Sequence, residues 1–221
     1  PRWKEILGYQ DEELPNIDSS FFELIHPDDK DAVVDAVTHH FEDHVPFNVE
    51  IRMRHKNGAY CWILSRGEAI RDAAGRPVRM VGSITDITER KAAESREKSR
   101  GHILEMVATG VALPKILEAI VISIEYANPE MICSILLTNQ SGKNLLNGAS
   151  PSLPAFYTEA INGISIGLGV GPCGTAVYTG KRVIVEDIQN HPYWAPYKEL
   201  AAKAKLGACW SEPIRSTQGA S

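Results

Sequence analysis

A chain of 221 residues with 43% apolar content is long enough to bury one large core or two modest ones. Its formal charge of −5 works against a broad nucleic-acid face, which needs cations to meet phosphates. No apolar run approaches a membrane span and no signal peptide is visible, so this stretch reads as cytoplasmic, without membrane contact of its own.

The chain opens on Pro1-Arg2-Trp3 without a methionine, which reads as a piece of a longer protein and leaves membrane attachment of the whole open. Trp3, Ile6 and Leu7 form a short helix stopped at Gly8-Tyr9, Asp11 to Leu14 makes another turn, and Phe21, Phe22, Leu24 and Ile25 end at His26-Pro27. Asp28 and Asp29 precede a helix over Ala32 to Phe41, in which Val33, Val34, Val37 and Phe41 follow the helical period. The strand 49–54, the turn Lys56-Asn57-Gly58, the strand Tyr60 to Ile70 and the turn Asp72 to Gly75 come next. From Val78 to Thr85, imperfect alternation predicts a third strand with one well-buried face. Asp86 then caps the helix that follows, with Glu89 placed to close a capping box, which clamps strand to helix at one point. Two readings of that junction stand: a good helix cap, or a signalling hinge formed by Asp86, Ile87, Thr88 and Glu89.

This half resembles a PAS domain with its PAC motif, in the subclass with LGY, HPDD, RxRxxxGxYxW and GxxxDITERK. The motifs stand here as Leu7-Gly8-Tyr9, His26 to Asp29, Arg52 to Trp62 and Gly82 to Lys91. The family opens with two further strands, so the resemblance implies a PAS domain over residues 1–86 that lacks its first strands. It further implies either a holder of haem, flavin or a small metabolite, or a purely dimerising module. Flavin photosensors of the family carry a reactive cysteine in an early NCR pattern, and no cysteine precedes Cys61, which argues against flavin. For haem, the candidate ligands are His39, His40 and His44, which read instead as solvated side chains at the polar end of their helix.

Residues 87–106 are rich in Glu, Lys, Arg and Ala, with no proline or glycine before Gly101, and predict a connecting helix. Ile87, Ala93 or Ser95, His102, Ile103 and Met106 give only a weak seam, short of a heptad. Between two sensory-like modules such a helix suits a parallel homodimer contact. Beyond it, Pro114 fits a first helical turn, with Leu113, Ile116, Leu117, Ile120, Val121 and Ile124 on one face. A strand over Met131 to Thr138, a turn to Lys143, a strand over Asn144 to Ala149, a helix over Leu153 to Ile161 and an apolar strand over Arg182 to Glu186 follow. Gly167, Gly169, Gly171 and Gly174 could expose amides to an anion, but no GxxxxGK[ST] is present, and the cluster reads as a structural loop of tight turns.

This second half resembles a GAF domain through GxGxCGTAVxxGxxVxVxDIxxHPxWxxY over Gly169 to Tyr197 and ACWSxPI over Ala208 to Ile214. The resemblance implies a GAF domain over 107–221 that lacks its last strands. Its pocket would bind a cyclic nucleotide, bilin, haem or small metabolite, or nothing. Cys173, Asp187, His191, Trp194, Tyr197 and Cys209 are the residues expected to border it. Trp194 and Tyr197 offer flat apolar surface, and His191 or Asp187 could orient a ligand. Each also has a local use: Asp187 capping a turn, His191-Pro192 ending it, Trp194 covering the domain. Cys61, Cys133, Cys173 and Cys209 are too widely spaced for a CxxC redox or zinc pair and read as reduced, partly buried thiols. Cys173 is the better redox candidate because helix amides could favour its thiolate, whereas Cys209 reads as packed inside. A bilin would need a Cys-His pair that is missing.

The fold expectation is therefore α+β, with tandem PAS-like and GAF-like domains, each a central antiparallel sheet with flanking helices. No HExxH, nucleophile elbow or paired-ligand pattern organises the carboxylates and histidines, so no catalytic or metal site is expected. The expected function is a non-catalytic sensory and relay region of a bacterial signalling protein. It would control an output domain elsewhere in the polypeptide, with a small metabolite as the open cofactor option and haem or flavin disfavoured. The alternative is a ligand-free dimerisation scaffold for a histidine kinase or a cyclic-di-GMP enzyme.

Overall fold

A computed structural model describes residues 2–15 and 17–215, which fall into two compact units, Pro1–Glu97 and Lys98–Ser221. Residues 216–221, the end of the second expected domain, lie outside the described residues.

In the first unit, α1 (Arg2–Ile6), α2 (Asp18–Glu23), a 3-10 turn (Pro27–Asp29) and α3 (Lys30–Glu42) precede a meander of β1 (Phe47–Arg54), β2 (Tyr60–Arg71) and β3 (Pro77–Asp86). All pairing is antiparallel in the order β1-β2-β3, with Ile51 opposite Ile63 and Ser65 opposite Ile84. Alternation sends Phe47, Ile51 and Met53 inward and Asn48, Glu50 and Arg54 outward, as the two-residue period of a strand requires. Ile51 and Met53 meet Leu7, Leu24, Ile25 and Val33 in one core, where Ile63 is fully buried. Truncating such a residue to alanine costs about 2–5 kcal/mol through lost transfer energy and the cavity left behind.

Two expectations for this unit change. The strand β3 has no well-buried face: Val78 and Val81 are exposed, and only Met80 and Ile84 are half-buried. Its imperfect alternation reflects an edge strand, bonded on one side only among the described residues. On α3, Val34 points to solvent and His40 is buried, so the histidine at the supposedly polar end belongs to the interior.

The helix α4 (Thr88–Ala108) runs through Gly101 and buries no residue. In the second unit, α5 (Leu113–Ala127) has Pro114 in its first turn, as expected, and packs Leu117 and Val121 against Ala149. Leu113 and Ile124 of its predicted apolar face are exposed. A three-stranded antiparallel sheet joins β4 (Ile135–Thr138), β5 (Asn144–Ala149) and β6 (Ile164–Ser165), with α6 (Ala155–Ile161) in the connection. The strand expected from Met131 begins only at Ile135, because the Met131 amide turns back to the Asn128 carbonyl and the Cys133 amide is held by the Glu125 carboxylate.

The glycine cluster is not all loop. Its second half winds into α7 (Gly171–Thr179), ended by Gly180 in the left-handed region at φ 63°. Gly174 is required by closeness, since a Cβ there would stand 2.6 Å from the Ser165 carbonyl oxygen. A separate antiparallel pair, β7 (Val183–Val185) and β8 (Cys209–Ser211), completes the unit with a 3-10 turn (Pro192–Trp194) and α8 (Lys198–Lys203). Tyr157, Val185, Ile188, Trp194, Ala201 and Ala204 form its second core. No helix among the described residues is long and apolar enough to cross a membrane.

Candidate functional site

Asp86 Oδ1 accepts the Thr88 amide at 2.8 Å, so the residue that ends β3 also starts α4. The Ile87 amide donates to the Trp62 carbonyl at 2.9 Å, and the Trp62 amide donates to the Thr88 hydroxyl at 3.0 Å. Ile87 is buried. Three bonds thus fix the first residues of the helix to the end of one strand and the start of another. The Glu89 side chain makes no hydrogen bond among the described residues, so the expected capping box does not close; Asp86 takes the Thr88 amide and the Trp62 carbonyl takes that of Ile87.

The next residues are held by charge. Glu50, on the outer face of β1, has Oε1 at 2.5 Å from Arg90 Nη2 and Oε2 at 2.5 Å from Lys91 Nζ. These cations, Lys91 first, hold the Glu50 carboxyl below its usual pKa. Lys91 Nζ also stands 5.1 Å from the Trp62 ring centre, and the Arg52 guanidinium 5.7 Å from the same ring. Arg52 is in turn clasped by Asp29: Nη2 lies 2.6 Å from Oδ1, and both Nε and the main-chain amide donate to Oδ2. That fork lowers the Asp29 pKa. Sequence reasoning placed the hinge at residues 86–89 but passed over Glu50. Its signal was the alternation of β1, which puts Glu50 and Arg52 on one face.

The histidines do not converge on a haem cleft. His40 is buried, with Nδ1 2.6 Å from the Val45 carbonyl oxygen and Nε2 accepting the Ala69 amide at 2.9 Å. Both ring nitrogens are committed to backbone, which fits a neutral ring pinning α3 to β2 and leaves no lone pair for iron. His39 is exposed and pairs with Asp43 at 2.7 Å, which raises its pKa, and His44 is exposed at φ 60°.

The residues expected to line a pocket in the second unit separate into two groups. Asp187 and His191 border an open depression of about 480 Å³ with Ile184, Glu186, Asn190 and Pro192. Asp187 is already engaged: it accepts the Gln189 amide at 2.9 Å and the Asn190 side-chain amide at 2.6 Å, and the latter bond chiefly lowers its pKa. His191 Nδ1 accepts the Tyr193 amide, and its ring meets that of Tyr193 edge-on at 4.7 Å. Trp194 and Tyr197 lie elsewhere, edge to face at 6.5 Å in the core with Cys209. The Trp194 indole N–H is buried without a hydrogen bond of good geometry. Burial raises the Cys209 thiol, against a smaller lowering effect of that indole. Cys173 bonds Ser211 Oγ at 3.1 Å, and desolvation raises its pKa, outweighing the smaller lowering effects of Ser211 and of its own main-chain amide. Among the described residues, no three His, Cys, Asp or Glu side chains are placed to hold a metal ion.

Comparison with known proteins follows the same division of the chain. Residues 1–84 match the model of the PAS fold and residues 112–220 that of the GAF domain. A methyl sulfide methyltransferase-associated sensor of Methanosarcina acetivorans is 37% identical over 214 residues, 96% of this chain and 21% of that protein. Hybrid signal transduction histidine kinase A of Dictyostelium discoideum is 30% identical over 106 residues, 42% of this chain and 5% of that protein. The crystal structure of a sensory box histidine kinase/response regulator from Burkholderia thailandensis shares 42% identity over 48% of this chain and 78% of its own, with a TM-score of 0.43. The chain thus spans about a fifth of the first relative and a twentieth of the second.

Proposed function

Since the chain consists of a PAS domain followed by a GAF domain, we propose that it is a non-catalytic, cytoplasmic sensory and relay region governing an output domain elsewhere in the same polypeptide. The observation that carries this reading is the seat of α4: Asp86, Ile87 and Thr88 join it to β3 and to Trp62 of β2 by direct hydrogen bonds. A helix fixed at its first residues moves with the sheet that holds it, so a rearrangement of the PAS core is delivered to whatever follows as a shift of a rigid rod. The likeness to a sensor over 96% of the chain supports the same role, and the kinase relative favours a histidine kinase as output.

The relay works as a homodimer paired through α4. Leu104 and Val107 are exposed on its last turns, three residues apart on one face, where a parallel copy could cover them. Light scattering of the purified chain tests this part: a twofold mass that falls to one in Leu104→Glu/Val107→Glu supports it, and a monomer at high micromolar concentration refutes it. An absorbance spectrum and native mass of the same sample separate a ligand sensor, with bound mass beyond the polypeptide, from a ligand-free scaffold.

A further inference from the structure

The ion pairs around Trp62 deepen the relay reading, on which this inference rests, by naming what controls the seat of the helix. We propose that Asp29, Arg52, Glu50 and Lys91 form an ion-pair swap, in which the Pro27–Asp29 turn governs whether the first turns of α4 stay docked on the sheet.

Three cations gather at one place: Arg52 and Lys91 near the Trp62 ring, and Arg90 on Glu50. Four carboxylates answer them. Asp29 takes Arg52 at 2.6 Å with Asp28 a weaker second partner at 3.5 Å, Glu50 takes Lys91 and Arg90, and Glu94 takes Arg90 at 2.8 Å and Lys91 at 3.8 Å. Glu50 and Arg52 are two residues apart on β1 and project from the same face, so the guanidinium has Glu50 within reach once Asp29 lets go. Asp29 holds it with two side-chain bonds and one main-chain bond. That turn leads directly into α3, so any movement of α3 acts on Asp29 first. A released Arg52 competes for Glu50 and repels Lys91 and Arg90, and both effects loosen the helix. The device needs no covalent change, because Arg52 and Lys91 share the Trp62 ring and only the pairing alters.

Hydrogen exchange of the amides of residues 88–97 in the whole chain tests the swap. Asp29→Asn is expected to speed that exchange by roughly two- to ten-fold, the range for a few partly exposed ion pairs, while the amides of Ile63 and Leu64 stay protected. In an Arg52→Gln background the same substitution should change nothing further, because the competitor is gone. In Arg52→Lys, which keeps a cation should Arg52→Gln fail to fold, the acceleration should return. Equal acceleration with and without Arg52 would overturn the swap, leaving simple loosening. No acceleration in Asp29→Asn while Glu50→Gln speeds exchange would also overturn it, yet would leave the docked helix standing. No effect of Glu50→Gln either would overturn the swap by showing that charge does not seat the helix, and would leave the hydrogen-bonded seat of the relay reading untouched.

Discussion

The main chain of Trp62 is bonded twice to the start of the connecting helix: its amide donates to the Thr88 hydroxyl at 3.0 Å, and its carbonyl accepts from Ile87 at 2.9 Å. A strand residue and a helix cap are thus one unit, and the helix cannot rotate at its origin without breaking a sheet-side bond. Thr88→Val keeps the shape but strands the partly buried Trp62 amide. It should cost about 1–3 kcal/mol in urea unfolding, with Thr88→Ser restoring most of the loss.

His40 bridges the Val45 carbonyl and the Ala69 amide from inside the core. Replacing it with alanine removes both bonds and opens a cavity, for an expected loss of about 2–4 kcal/mol. Haemin titration of the wild-type chain should show no histidine-ligated spectrum that depends on His40.

Asp29 contributes to the acid limb of stability of the first unit, beside other carboxylates such as Glu50 and Asp72 whose pKa is also lowered. Its folded pKa is depressed by Arg52, so its contribution is fully present above the ordinary carboxylate value of about 3.9 and is lost as pH falls through the lower folded value. Asp29→Asn should lower stability at neutral pH and flatten the decline below about pH 4. A pH series of urea midpoints reads both.

Gly174 allows α7 to lie against the Ser165 carbonyl oxygen. Gly174→Ala brings a methyl group to 2.6 Å from that backbone atom, and the helix must shift. The expected cost is about 1–3 kcal/mol, seen as a lower midpoint for the second unit, whereas Gly142→Ala, with nothing near its Cβ but φ at +66°, should show only the smaller strain of its turn.

Cys173 and Cys209 should alkylate slowly at pH 8, because burial raises both thiols. Iodoacetamide labelling followed by mass spectrometry should find both sites reacting far faster in denaturant than in buffer.

Much of this architecture was legible in the residues. The helical period around Val33 and Val37, the Asn57-Gly58 and Ala74-Gly75 turns and the Asp86 cap all rest on local chemistry, which a linear reading captures. The misreadings came from partners distant in sequence. His40 looked solvated because its acceptor and donor partners, Val45 and Ala69, come together only after β2 folds back. Glu50 was invisible as a helix seat because its two cations are about forty residues away. Likewise, the cluster Gly167, Gly169, Gly171 and Gly174 read as loop on glycine content, whereas its last two glycines lie in α7, with Gly174 packed closely on the Ser165 carbonyl. The expected pocket residues split because their order in the motif says nothing of which side of the 3-10 turn each occupies.

Hydrogen exchange of Ile87 and Thr88 compared with the β2 amides in the unmodified chain tests the rigid coupling most directly. The account predicts that both amides exchange with the same protection as Ile63 and Leu64, opening only when the sheet opens. Exchange at the rate of the exposed middle of α4, with β2 still protected, would contradict it.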